Sequence, residues 1–235
     1  MCGLGRVCTL GRLADTAGRV GLRVSPLRVS RGDVLYRSGD LVKAIYMIRS
    51  GCVKELDGSS SGHGSVINFA LPGESLVLHA LNCTPSNTTG LAVESSFICS
   101  VPWDGFNRLC AESPRVAAQY IQLLARAGAA ARDLSSMIRD KDAYQRVSGF
   151  LLNVSRRLQV RGVRGREFRL HMNREDIANY LGLRSETVSR CFTNLSRRRL
   201  IKVHAKRIQI LRAAELRKIF TGAESFTHKT RTALT

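Results

Sequence analysis

The sequence predicts an α+β fold: an antiparallel β-roll, one long helix, and a helical unit closed by a β-hairpin. Three observations carry this. Between Arg28 and Pro102, short β-rich runs are punctuated by glycine. From Ala117 to Ile138, apolar residues recur at alternating three and four positions, and residues 173–200 read as two short helices around a glycine.

The chain divides accordingly. Residues 1–27 form an N-terminal segment carrying Cys2 and Cys8, and residues 28–113 form the roll. Within the roll, VLYRSGD, AIYMIRSGCVKEL, SVINFALPGESLVL and LAVESSFICSVPW alternate between turn residues as an antiparallel roll or jelly roll does. GSSSGHGS at 58–65 reads as a hairpin loop, with His63 a loop residue rather than a ligand.

Residues 114–141 form the long helix. Its stripe of Ala117, Tyr120, Leu124, Ala127, Ala131, Leu134 and Ile138 is a heptad seam on which two copies can pair in parallel. Small Ala127 and Ala131 let the backbones approach but bury little apolar area, so the dimer is weak enough for a signal to regulate. The competing reading packs the stripe on the chain's own roll.

A hinge near Arg139–Asp142 leads into residues 142–222. The helix AYQRVSGFLLNVSRRLQ presents Val147, Phe150, Leu151 and Val154 to a second core, and FRLHM follows as a strand. In NREDIANYLGLRSETVSRCFTNLSRRRL, Asn173 is placed to cap a helix with Asp176 three residues on. Ile177, Ala178 and Leu181 are its buried residues, and Gly182 is its end. Ser185 is placed to cap the next helix, which buries Val188, Phe192 and Leu195 and turns Glu186, Ser189, Arg190, Thr193 and Arg197 outward. LIKVHAKRIQIL is a hairpin pattern around a basic turn. The whole is a winged helix-turn-helix, a DNA-reading unit whose second helix meets base edges in the major groove. An arginine there grips guanine O6 and N7 with two hydrogen bonds, and a glutamate accepts from a cytosine amino group. Arg190 and Glu186 fit those roles, and Ser189 suits a base edge or a phosphate. Arg197, Arg198, Arg199, Lys202, Lys206 and Arg207 are placed for phosphates, against the alternative of a solvated basic rim. The tail, residues 223–235, reads as disordered.

Composition narrows the class. The formal net charge is +19, and residues 142–235 hold 21 Lys and Arg against 7 Asp and Glu, so the excess lies with the helix-turn-helix and reads as a nucleic-acid footprint. No apolar run reaches the roughly 20 residues of a membrane span, and the N-terminus lacks a secretory core, so a bacterial cytoplasm is expected and no membrane partner. Seven cysteines in that compartment argue for thiols or metal ligation rather than a disulfide framework. No C-x-x-C, Ser-His-Asp or metal-hydrolase pattern is present, so no enzyme is expected. A nonspecific nucleic-acid-coating protein shares the charge but would show no preference for a palindrome.

REFRLHMNREDIANYLGLRSETVSR resembles the DNA-binding region of the Crp/Fnr regulators, within their Fnr-like branch. The resemblance runs from Cys2 to about Phe220. It implies that Glu186, Ser189 and Arg190 read TTGAT-like half-sites, that the chain binds palindromic DNA as a homodimer and that it contacts RNA polymerase. It also implies that the roll is of the cyclic-nucleotide-binding type. PGESLVL at 72–78 looks like the start of a nucleotide cassette, but no Lys or Arg occurs from Glu55 to Asn107 to neutralise a phosphate, so no cyclic nucleotide is expected. Cys2 and Cys8 have the C-x5-C spacing of two ligands of an oxygen-labile 4Fe-4S cluster, and Cys99 stands where the family supplies its distant ligand. The family pattern C-x2-C-x5-C needs one more cysteine, which falls before Met1. The fourth ligand then lies upstream of the recorded start, or another group such as Cys83, Cys52 or Cys110 supplies it, or no cluster is held. In the last case the signal is another small ligand or thiol oxidation. For Cys52, Cys110 and Cys191 the ordinary fate of a small buried hydrophobe is expected.

Overall fold

A computed structural model describes residues 24–58, 64–76, 85–159 and 166–223. Cys2, Cys8, His63, Cys83 and the tail from 224 lie outside the described residues.

Eight strands build the roll: β1 (Ser25–Val29), β2 (Val34–Tyr36), β3 (Ala44–Ser50), β4 (Val53–Asp57), β5 (Val66–Ala70), β6 (Ser75–Leu76), β7 (Thr88–Ala92) and β8 (Ser96–Pro102). They pair antiparallel in two four-stranded sheets, ordered β1-β8-β3-β6 and β2-β7-β4-β5. Strand alternation explains how the sheets are packed. On β3, Ile48 joins Tyr36, Val53, Ala70, Leu76 and Ile98 in the core between the sheets. Ile45 and Met47 point to the other face, where Val101 of β8 packs with them.

That outer face is covered by α1 (Trp103–Glu112) and the start of α2 (Pro114–Ile138) through Phe106, Leu109 and Val116. Helix α1 falls between the last β-rich run and the long helix, where the sequence reading assigned no element. The long helix itself closes at Ile138, with Arg139 extended and Asp140 in the left-handed region at φ 53°, where the hinge was expected.

Beyond the hinge come α3 (Ala143–Gln159), β9 (Glu167–Arg169), α4 (Arg174–Leu181), α5 (Ser185–Arg197), the hairpin β10 (Ile201–His204) and β11 (Arg207–Ile210), and α6 (Ala213–Thr221). The three strands form one antiparallel sheet, β10-β11-β9. Val147, Phe150, Leu151 and Val154 of α3 are all buried, together with Ile177 and Leu181 of α4 and Val188 and Leu195 of α5. This core does not stop at the hinge. Cys52, Val66, Phe69 and Leu71 of the roll belong to the same apolar cluster, and the Phe69 ring lies 5.0 Å from Tyr180 and 6.4 Å from Phe150.

Candidate nucleic-acid interface

Helix α4 starts as its sequence dictates. The Asn173 side chain accepts the Asp176 backbone N–H at 2.7 Å, and Gly182 closes the helix in the left-handed region at φ 62°. The reciprocal half of a capping box is not made, because the Asp176 carboxylate pairs with Lys54 of β4 at 2.6 Å. For α5 the expectation needs correcting. Arg184, in extended backbone, is the residue that caps it; Ser185 is the first helical residue, and no side chain supplies a cap bond.

The orientation of α5 is fixed from three sides. Val188, Cys191, Phe192 and Leu195 are buried. The Arg174 guanidinium lies 3.4 Å from the centroid of the Phe192 ring, where burial lowers its pKa from the usual range. Near the far end, the Asn194 amide donates to the Tyr144 hydroxyl of α3 at 2.6 Å. Arg146 of α3 spans from the hinge to the turn between α4 and α5: its Nε donates to the Lys141 carbonyl at 2.9 Å and its Nη1 to the Leu181 carbonyl at 3.0 Å. It thereby satisfies a carbonyl at the C-terminus of α4, where a cation is favoured.

Held this way, α5 turns Glu186, Ser189, Arg190, Thr193 and Arg197 to solvent. The side chains of Glu186, Ser189 and Arg190 make no hydrogen bond or ion pair among the described residues. Arg197 donates to Asn194 at 2.9 Å. Arg198 closes the helix, and Arg199 stands in the left-handed region at φ 56°. On the hairpin, Ala205 turns with φ 51° and Lys202 and Lys206 are exposed, while Arg207 lies 3.9 Å from Glu167. The basic residues therefore lie at the C-terminal end of this exposed helix face and on the hairpin that follows it.

The seam residues divide. Tyr120 packs with Trp103 and Phe106, and Leu134 packs against the core beyond the hinge, so these two are engaged within the chain. Leu124, 39% exposed, Ala127 and Ala131 are left open, and so is Ile121, 64% exposed, which the heptad reading did not include.

The cysteines are not alike. Cys52 is fully buried, and burial raises its thiol pKa. Cys191 is buried as expected, its thiol pushed up to about 11 by burial and then by the Asp142 charge. Cys110, expected to be buried, is only half-buried because it lies at the edge of the α1 cluster, and Cys99 is half-buried beside it. Cys99 pairs across strands with Pro26 of β1, the strand into which the N-terminal segment leads. Among the described residues no three His, Cys, Asp or Glu side chains gather as a metal site. In the roll interior the buried carboxylate is Glu55, which accepts from the Tyr36 hydroxyl at 2.6 Å and the Asn68 amide at 2.8 Å.

A two-sheet roll joined by a long helix to a winged helix-turn-helix with an uncovered polar face defines the architecture of a DNA-binding regulator. Known proteins agree. Residues 26–113 match the cyclic nucleotide-binding domain family and residues 145–219 the Crp-like helix-turn-helix domain family. The chain is 31% identical over 209 residues to the transcriptional activator protein Anr of Pseudomonas protegens, covering 89% of this chain and 85% of that one. It is 31% identical over 191 residues to the fumarate and nitrate reduction regulatory protein of Vibrio cholerae, covering 81% and 76%. The structure of FixK2 from Bradyrhizobium japonicum superposes with a TM-score of 0.75 at 24% identity, covering 84% of this chain and 98% of that one. The chain belongs to the Crp/Fnr family of transcription regulators. Its relatives are regulators, not enzymes. No described helix is long and apolar enough to cross a membrane.

Proposed function

We propose that this protein is an oxygen- or redox-responsive transcription activator that binds a palindrome of TTGAT-like half-sites as a homodimer. The observation that carries this reading is the exposed trio Glu186, Ser189 and Arg190 on a helix whose opposite face is buried. The open stripe of Ile121, Leu124, Ala127 and Ala131 is the surface through which two copies pair along α2. Two reading helices related by a two-fold axis then meet two half-sites one helical turn apart. RNA polymerase is the expected partner of such an activator. Titration of a duplex carrying two inverted TTGAT half-sites, against one of shuffled sequence, tests the reading; equal affinity for both rejects it.

The signal is assigned to an iron-sulfur cluster held by Cys2, Cys8, Cys99 and a fourth ligand. Names such as Anr and fumarate and nitrate reduction regulator support it, and Cys99 is half-buried beside the strand fed by the segment that holds Cys2 and Cys8. Such a cluster supplies a group that oxygen destroys. Iron and acid-labile sulfide assays on protein purified without oxygen test this. Protein free of iron under those conditions leaves the second reading, in which the roll or its thiols respond to another ligand or to oxidation. No cyclic nucleotide is assigned: no Lys or Arg occurs from Glu55 to Asn107 to neutralise a phosphate.

A further inference from the structure

We propose that Glu74 and Arg157 are positioning residues for DNA recognition, a buried pair that fixes the reading helices to the sensor roll so that both half-sites of a palindrome can be met at once. The proposal rests on the assignment of DNA reading to α5 and of pairing to α2.

Arg157 projects from α3 into the roll. Its Nε donates to Glu74 Oε1 at 2.8 Å, and its Nη2 donates both to Glu74 Oε2 and to the Phe69 carbonyl. Each side chain of the pair is only 14% exposed. Glu74 is itself tied into its own turn, since its carboxylate accepts the Leu71 N–H at 2.9 Å while its backbone N–H donates to the Leu71 carbonyl. A two-pronged guanidinium-carboxylate pair specifies direction as well as distance. In a site this dry, either charge left alone is strongly unfavourable, so the docked geometry is held as one state.

The surrounding contacts reach the reading unit itself. Lys54 of β4 pairs with Asp176 of α4 at 2.6 Å, and the Val66 N–H donates to Asn179 of α4 at 2.6 Å. Glu94 engages His171 at 2.6 Å and Arg169 at 3.0 Å. None of these covers Glu186, Ser189 or Arg190. The roll thus grips α3 and α4 from behind while the reading face of α5 stays open. The covalent connection is only the hinge after Ile138, which by itself leaves the reading unit free to swing.

The consequence is specific to two-site binding. A single reading unit meets one half-site whether it is docked or swinging. A second unit meets the second half-site at an effective concentration set by how well its position is fixed. Full-length wild type, Glu74→Gln and Arg157→Gln are titrated on the two-half-site palindrome and on a duplex with one half-site. Lys54→Gln, which breaks a second ion pair of the same contact, is tested alongside and decides if the Glu74 and Arg157 variants do not fold. The expected result is palindrome affinity lower by about tenfold or more, with single half-site affinity held within about twofold, as loss of effective concentration requires. Unchanged palindrome affinity, or an equal loss on both duplexes, overturns the positioning role. Wild type that binds neither duplex better than a shuffled one overturns the DNA reading, and wild type that does not prefer the palindrome over one half-site overturns the pairing; the positioning role falls with either.

Discussion

Arg190 lies four residues after Glu186 on the exposed face of α5, and its side chain contributes nothing to the core beneath it. Its replacement therefore separates recognition from folding. Arg190→Ala is expected to weaken binding to the palindrome by about 1–3 kcal/mol, the worth of a bidentate guanine contact, while leaving shuffled duplex and melting temperature unchanged. Titration of both duplexes decides it, because a phosphate-only role lowers the two affinities together. At this scale the sequence is legible where partners are near neighbours. Asn173 capping Asp176 follows from a spacing of three, and the burial of Val188, Phe192 and Leu195 follows from helical periodicity. It is silent where partners are distant. Lys54 meets Asp176 across 122 positions and Arg157 meets Glu74 across 83, and no local pattern marks either pair. The charge run SRRL gave only one hint, that Arg157 falls on the apolar side of α3 beside Phe150 and Val154.

Helix α2 shows what periodicity can and cannot decide. A heptad stripe identifies which residues share a face, but a face can be covered by a second copy or by the same chain. Both happen here. Tyr120 and Leu134 near the two ends are covered by α1 and by the core beyond the hinge, and the open centre is Leu124, Ala127 and Ala131, with Ile121 alongside. Helix α1 was hidden for a related reason: Trp103 and Phe106 continue the apolar run of β8, and Gly105 weakens the helical signal. Because Leu124 is 39% exposed in the single chain, a charge there spares the fold and tests the proposed pairing. Leu124→Glu is expected to raise the dimer dissociation constant by about tenfold or more, since two carboxylates would face each other in an apolar seam. Sedimentation velocity reads this directly. Palindrome binding should fall in parallel; a dimer as strong as wild type places the interface elsewhere.

For the whole molecule the informative quantity is where the charge of +19 resides and how much of it is free to meet phosphate. The excess is concentrated after residue 142, but the cations there serve different ends. Arg157 is consumed by Glu74, Arg146 by backbone carbonyls, and Arg174 lies against an aromatic ring. Lys202 and Lys206 on the hairpin remain exposed. Composition alone does not distinguish these groups, whereas the salt dependence of binding does. Each phosphate neutralised releases condensed counterions and contributes about −0.9 to the slope of log affinity against log salt. Lys202→Ala and Lys206→Ala are each expected to flatten that slope by about 1 and to weaken palindrome and shuffled duplex alike. Arg157→Gln should leave the slope unaltered even where it lowers palindrome affinity, because its charge is neutralised inside the protein before DNA arrives. Salt titrations of the three variants at fixed temperature thus sort backbone contact from internal positioning. A flattened slope for Arg157→Gln would mean that the docked arrangement opens and gives its guanidinium to the DNA.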